Sequence, residues 1–447
     1  MIIKNREELS TSRLREQVLD IIEAGIDRVL PPVIMKSAVS YTPDRRDLTV
    51  NDFSFPLKKG RLFVVGGGKA SGLMAETLER IVPPEEITAG IVNCKSGGYR
   101  TEKIKVVKAG HPVPDEAGLK GVGRMLALKN EYSINENDLV LCLISGGGSA
   151  LMPYPVEGVS LEDKRKVTGL LLASGADISE INSVRKHLSL TKGGRLGEYF
   201  YPAKVVSLIL SDVIGNSLDV IASGPTSPDS STFADAYHVL ERHGLLGETP
   251  ENAVDYLERG CRGEMPETPD VLENCLNFII GDNSLALEEM KIEAKRLGFT
   301  PYVITAEQKG ETAIVARLRA GEILDGGYAG YDLVLFGGET TPKLPDSPGR
   351  GGRNQHYAAV SILEMRDYPG EWVVASVGTD GSDYLPDVAG AVVDNYTLSA
   401  ARNKGLDVNK YLENYDSNTL LKETGNSLVI TGDTGTNVGD VIVYALR

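Results

Sequence analysis

An unbroken apolar run, Val140-Leu141-Cys142-Leu143-Ile144, empties into Ser145-Gly146-Gly147-Gly148-Ser149-Ala150. A run without polar alternation reads as a strand buried on both faces, so it belongs in a sheet covered by helices on each side. Three successive glycines let the backbone approach a ligand closely and offer its N–H groups, which suits an anion such as phosphate. The device recurs in Val64-Val65-Gly66-Gly67-Gly68-Lys69-Ala70-Ser71, in Leu333-Val334-Leu335-Phe336-Gly337-Gly338-Glu339-Thr340 and in Gly349-Arg350-Gly351-Gly352-Arg353-Asn354. Four glycine-rich loops, two of them carrying a cation, point to an enzyme that handles phosphate.

The chain is otherwise acidic, with a formal net charge of −15. That argues against general binding to nucleic acid or to an anionic membrane, and it requires that cations holding an anionic ligand be gathered locally. A length of 447 residues exceeds one ordinary core, and two domains are expected, 1–235 and 236–447. No apolar stretch approaches the roughly 20 residues of a membrane span. The opening Met1-Ile2-Ile3-Lys4-Asn5-Arg6-Glu7-Glu8 has no apolar signal-peptide core. Cys94, Cys142, Cys261 and Cys275 form no CxxC pair, as expected of reduced thiols in a cytoplasmic protein, a monomer or small homo-oligomer.

Residues 8–28 carry apolar side chains at helical spacing (Leu14, Val18, Ile21, Ile22, Ile26), so the chain is expected to open with a helix. Strands over 61–66, 88–93, 104–108, 138–144 and 204–210 then alternate with helices over 69–82, 115–131, 160–174 and 179–189. Such alternation predicts an α/β fold, a Rossmann-like parallel sheet with helices on both faces. Residues 230–275 read as mainly helical and charged. A second series follows, with strands over 277–281, 301–304, 332–336, 371–376, 427–430 and 440–445 and helices over 283–296, 311–324, 353–365 and 396–405, predicting a second α/β domain. Ligands of open α/β sheets bind outside the carboxyl ends of the strands, and the loops at Gly66, Gly146 and Ser211 all leave such ends.

Standard motifs do not describe these loops. A P-loop ending at Gly68-Lys69 would need Gly at 63 and Ser or Thr at 70, where Phe63 and Ala70 stand, and a dinucleotide fingerprint from Gly66 would need Gly at 71, which is Ser71. Lys69 in the first turn of a helix opposes the helix dipole, and a bound phosphate or carboxylate would offset that conflict; the plain alternative is an exposed lysine on a tight turn. Around Ser145 the rival is a serine hydrolase, but the nucleophile elbow fails at Leu151. Arg185, Lys186, His187, Lys192 and Arg195 put five potential cations within eleven residues, either a solvated helix face or an anion site. Asp212, just past a strand, is suited to accepting a hydroxyl proton, to holding a divalent ion or to capping a helix, and Asn216 follows it. In the second half Arg353 offers the fork geometry that grips phosphate or carboxylate. Asp380 and Asp383 are spaced like ligands of a hard cation, although no EF-hand glutamate follows.

Taken in order, these segments resemble the glycerate 2-kinases with their MOFRL-type C-terminal domain. The resemblance rests on Gly66–Ala70 with Lys69, on Gly110-His111-Pro112-Val113-Pro114-Asp115, and on Ser145–Ala150. It continues through Asn182–His187 with Lys192-Gly193-Gly194, Leu210-Ser211-Asp212-Val213 and Ala222-Ser223-Gly224-Pro225-Thr226. In the second half it rests on Gly338-Glu339-Thr340, Gly351-Gly352-Arg353-Asn354-Gln355, Thr379-Asp380-Gly381 and Thr436-Asn437-Val438. It implies two α/β domains with the active site in the cleft between them, and phosphorylation of D-glycerate by ATP with Mg2+ to give 2-phosphoglycerate and ADP. By the same resemblance Lys69 and Arg353 are the phosphate and substrate cations. Asp212 is assigned to orienting or deprotonating the 2-hydroxyl. Gly67, Gly68, Ser145, Gly146, Gly147, Gly148, Ser149, Arg185, Lys192, Asn216, Glu339, Thr340 and Asn354 are the expected phosphate- and substrate-binding residues, and Asp380 the candidate metal ligand. The chain departs from the family at Tyr384-Leu385-Pro386, where Gly-Pro-Thr is common, and at Asp433, where Pro is usual. The competing expectation is an NAD(P)-dependent hydroxypyruvate reductase, and a third is a non-catalytic sugar-phosphate or nucleotide sensor.

Overall fold

Six strands assemble one sheet in the body Ile34–Ile280, in the order Ile104–Lys108, Ile87–Cys94, Leu62–Gly67, Leu139–Ser145, Lys204–Leu210, Cys275–Gly281. The computed structural model describes residues 1–447, divided into this body and a discontinuous one made of Met1–Val33 and Gly281–Arg447. Counted along the chain the sheet order is 3-2-1-4-5-6, and its first five strands pair in parallel. Leu62–Gly67 and Leu139–Ser145 are buried along their whole length, as their unbroken apolar runs require. Phe63, Val65, Val140, Cys142 and Ile144 share one core with Val122 and Met125 of the helix Glu116–Glu131. The order reverses between Leu62–Gly67 and Leu139–Ser145. Crevices at such a switch point are where open α/β sheets hold their ligands.

A small antiparallel sheet of Val39–Thr42, Asp47–Val50 and Phe53–Pro56 lies outside the sequence expectation. Strands of four residues are too short to display a period. A two-residue turn, with Asn51 at φ +49°, joins the last two.

The chain divides at 33 and 280 rather than near 235. Helix Phe233–Arg242 turns Phe233, Ala236, Val239 and Leu240 into the cluster that holds Val167, Leu171, Ile181 and Val184, so it completes the first body. At the other end, helix Arg13–Arg28 packs Val18, Ile21 and Ile22 with Ala286, Leu287 and Met290 of helix Asn283–Arg296. The opening helix is also interrupted. Arg6–Leu9 forms one turn, and Ser12 then caps the longer helix by accepting a hydrogen bond from the Arg15 amide.

The second body carries a mixed sheet in the order Pro301–Val303, Leu333–Gly338, Asp440–Leu446, Trp372–Gly378, Gly390–Asp394, Leu428–Val429. Asp440–Leu446 lies antiparallel to both its neighbours, because it arrives through a polar loop rather than the helical crossover that parallel pairing needs. Side chains along the strands alternate between two cores. Val373, Ala375, Val441 and Val443 face helices Arg13–Arg28 and Asn283–Arg296, while Trp372, Val374, Ile442 and Tyr444 face helices Thr312–Leu324 and Arg353–Glu364. No helix is long and apolar enough to cross a membrane.

Candidate active site

The loops Gly66–Lys69 and Ser145–Gly148 leave the two strands that flank the switch point, whose ends are in register at Gly67 and Ile144. They are tied together. The Lys69 amide donates to the Gly146 carbonyl at 2.9 Å, and the Ala70 amide to Ser145 Oγ at 2.9 Å. The glycines are required by this closeness: an added Cβ on Gly68 would lie 2.1 Å from Ser145 Oγ, and one on Gly148 would lie 2.7 Å from the Gly67 carbonyl oxygen. Gly147 sits at φ +78°, a left-handed conformation that begins the single turn Gly148–Leu151. Its Cα faces the His111 ring and the Lys69 side chain, which a Cβ would meet at 2.8 and 3.2 Å. Ser145 is fully buried and its Oγ accepts from the Ala70 amide, so it braces the two loops. Lys69, Gly147 and His111 are the residues brought together at this mouth.

The expected run of five cations separates into two groups. Lys186 pairs with Asp229 at 3.0 Å, His187 bridges the Ser183 carbonyl and Glu267, and Arg195 donates to the carbonyls of Ser189 and Pro266; these three hold the fold. Arg185 and Lys192 turn instead toward Ser149. Arg185 Nη2 donates to Ser149 Oγ at 2.5 Å, and Lys192 Nζ to the Ser149 carbonyl at 2.7 Å. Ser223 Oγ donates to Asn182 Oδ1 at 3.1 Å, so the Ser149 proton is the one directed along the 2.9 Å contact to Ser223. Of the turn after Ala222, Ser223 touches the cluster through Ser149. Ala222 and Ser223 adopt φ of +53° and +61°, and Asn216 +55°. Non-glycine residues held in this region cost conformational energy and concentrate at functional sites.

Asp212 lies half-buried at the end of strand Lys204–Leu210, and the segment after it enters turns rather than a helix. Helix capping therefore does not account for it. Burial pushes the Lys192 ammonium well below the usual lysine range, and the neighbouring charges of Lys164 and Arg185 push it further. Lys164 sits in the charged string Glu162–Lys166, which masks it in the sequence. The available signal was helical phase: Lys164 shares one stripe with Leu161, Val167 and Leu171.

In the second body the ends of Leu333–Gly338 and Trp372–Gly378 meet the start of Asp440–Leu446, with Gly338 and Gly378 both opposite Asp440. This edge gathers the loops at Glu339, Asp380 and Asp433. Arg353, the first residue of helix Arg353–Glu364, is clamped there. Its Nε and Nη2 donate to the two Asp440 oxygens at 2.6 and 3.0 Å, and Nη1 donates to Glu339 Oε1 at 2.6 Å. Burial works against the guanidinium charge, but Asp440 and then Glu339 and Asp383 outweigh it and raise the pKa. The arginine is thus permanently charged and fixed by a side-on fork.

Asp383 is committed elsewhere than to a metal. It caps the same helix, accepting from the amides of Asn354 and Gln355 at 3.0 and 2.8 Å and from Gln355 Nε2 at 2.9 Å. Burial raises its carboxyl to about 6 although these donors oppose the shift. Asp380 Oδ1 accepts from the Ser382 amide and hydroxyl at 2.9 and 3.1 Å, a local turn. No group of three or more His, Cys, Asp or Glu side chains is arranged to hold a metal. Asn354 and Thr340 are occupied internally: Asn354 Oδ1 accepts from Ser376 Oγ at 2.6 Å, and Thr312 donates to Thr340 Oγ1 at 3.1 Å.

Comparison with known proteins agrees with this architecture. Residues 17–258 match the profile of a domain of unknown function, DUF4147, and residues 332–440 that of the MOFRL family. The chain is 40% identical to the glycerate 2-kinase of Pyrococcus horikoshii, covering 96% of this chain and 97% of that protein. It is 38% identical to a protein of Agrobacterium vitis provisionally named a hydroxypyruvate reductase, covering 86% of each. The crystal structure of glycerate kinase from Thermotoga maritima superposes with a TM-score of 0.83 at 38% identity, covering 97% of this chain and 99% of that one. With nearly full-length likeness in both sequence and fold, the chain belongs to the glycerate 2-kinase family.

Proposed function

We propose that the protein transfers the γ-phosphoryl group of ATP to the 2-hydroxyl of D-glycerate, giving 2-phosphoglycerate and ADP. The observation that carries this reading is the pair of interlocked glycine loops at the switch point of a 3-2-1-4-5-6 sheet, with the Lys69 side chain against Gly147. In the reaction the glycerate O2–phosphorus bond forms, the bond from phosphorus to the ADP oxygen breaks, and the hydroxyl proton leaves. Phosphoryl transfer asks mainly for positioning and charge neutralisation. Lys69 is assigned the transferring phosphate, Arg353 the second phosphate cation, and Asp212 the hydroxyl proton. Mg2+ would neutralise phosphate oxygens, with Asp380 as its protein carboxylate.

The strand order alone also suits a dinucleotide, which favours weighing the reductase reading. The residues do not follow it. The third fingerprint glycine is Ser71, whose hydroxyl donates to the Leu143 carbonyl, and the second strand ends in Asn93-Cys94 where a ribose-binding carboxylate would stand. Asn93 is itself spent on the carbonyls of Gly118 and Leu151. Incubation with ATP, Mg2+ and D-glycerate should yield ADP and a product whose phosphorus spectrum is that of 2-phosphoglycerate. Consumption of NADH by hydroxypyruvate without ADP formation in the first mixture would overturn the proposal.

A further inference from the structure

Helix Leu161–Ala173 buries Leu161, Lys164, Val167 and Leu171, so a lysine occupies its apolar stripe. Lys164 is 6% exposed, and its ammonium is buried with no hydrogen-bond partner. Lysine is almost never buried unless paired, because an ammonium removed from water needs an opposite charge or acceptors in exchange. None is supplied by the surroundings. The charges that act on Lys164 are Arg185 and Arg195, and those that act on Lys192 are Lys164 and Arg185. Each neighbour is a cation, and burial with this repulsion drives the Lys164 ammonium well below the usual lysine range. Lys186 nearby shows how the fold treats a structural cation: it receives Asp229 and Asp219. Lys164, Arg185 and Lys192 receive only the hydroxyl and carbonyl of Ser149 among them.

A buried group of like charges with unspent donors is a site lacking its counter-charge. We infer that Lys164, together with Arg185, Lys192 and Ser149, forms a subsite for an oxyanion, a carboxylate or phosphate group of a substrate. Arg185 and Ser149 are half-buried, whereas Lys164 and Lys192 are buried. Ligand oxygens would take the Arg185 fork and the Lys164 ammonium, leaving Lys192 on the Ser149 carbonyl. The chemistry is shared by the glycerate carboxylate and the nucleotide phosphates; which of them it is rests on the proposed kinase activity, whereas the subsite does not.

The test is calorimetric titration of the full chain with D-glycerate, with ADP and with inorganic phosphate, each alone. Lys164→Met and Lys164→Gln remove the charge, and Lys166→Met removes an exposed charge from the same helix as control. The expected result is at least a tenfold weaker affinity of both Lys164 variants for one of the two substrates, with the other within about twofold and Lys166→Met like the parent. Loss confined to D-glycerate assigns the carboxylate, and loss confined to ADP and phosphate assigns the nucleotide. Since the unpaired ammonium burdens the empty protein, the Lys164 variants should melt at or above the parent temperature without ligand. Unchanged affinity for all three probes, or an equal loss in Lys166→Met, overturns the inference. Each titration omits the second substrate, so failure of the kinase reading leaves the result readable.

Discussion

Asp440→Asn tests how Arg353 is held. The Asp440 side chain is 3% exposed and meets the guanidinium in a two-pronged contact at 2.6 and 3.0 Å. Asparagine keeps the shape and one acceptor, but it turns an NH2 group toward a guanidinium N–H and removes the charge. Removing one member of a fully buried ion pair costs about 3–5 kcal/mol. Arg353 is 30% exposed and keeps Glu339, whose side chain is 45% exposed, so the loss should fall below that range, at about 2–3 kcal/mol. Urea titration of the parent and the variant measures it as a shift of midpoint at constant slope. The guanidinium would swing toward Glu339, and a displacement on the scale of 1 Å at a reacting group costs up to about 100-fold. We therefore expect kcat to fall by roughly tenfold to a hundredfold with KM for D-glycerate little changed. An Asp440→Asn enzyme with parental kcat and a stability within about 0.5 kcal/mol of the parent would refute the clamp.

Lys69→Ala should lower turnover by roughly 10²–10³ on the scale of other electrostatic deletions, with folding intact; near-normal kcat removes Lys69 from the mechanism. Gly147→Ala should destabilise by about 1 kcal/mol or more, because φ is +78° and the new Cβ lies 2.8 Å from the His111 ring; an unchanged urea midpoint would show that the loop relaxes freely. Burial pushes His356 down to about 4, so the folded state refuses a proton that the unfolded chain binds below pH ~6.5. Its contribution is complete above pH ~6.5 and is lost as pH falls toward 4, at up to about 1.4 kcal/mol per pH unit. Asp383, raised to about 6, works with the opposite sign, since there the folded state keeps a proton that the unfolded chain has released. The two nearly cancel between pH 4 and 6. His356→Gln should expose the second, with stability falling as pH rises through that range relative to the parent; parallel pH profiles would show that His356 does not titrate as its burial requires.

What could be read from the sequence follows from what is local. The strand-to-glycine junctions at Gly66, Gly146 and Gly337 are contiguous in the chain, and the structure has them at strand ends. The partners that finish each site are not contiguous. Asp440 reaches Arg353 across 87 residues because a strand late in the chain enters the middle of the second sheet, and nothing near either residue announces that insertion. Asp383 illustrates a different loss. Its spacing from Asp380 suits a hard cation, but spacing cannot reveal that a helix N-terminus lies against it with two amides to satisfy. Ser145 likewise reads as ligand-facing beside three glycines and proves to be the brace between two loops. Lys164 was legible in principle, through its phase with Leu161, Val167 and Leu171, but four charged neighbours obscured it.

The discontinuous body has a consequence for how the chain is made. Residues 1–33 emerge first, yet the helix and strands that bury Val18, Ile21 and Ile22 are not translated until the entire body Ile34–Ile280 has been synthesised. At about 5–20 residues per second the amphipathic helix Arg13–Arg28 would wait on the order of 10–50 s with its apolar face uncovered. The intervening body, continuous in sequence, is free to fold during that interval. Nascent chains arrested far enough beyond Ile280 for that residue to have left the ribosome should accordingly yield a protease-resistant core starting near Ile34, with residues 1–33 still cleavable until the strand Asp440–Leu446 is released.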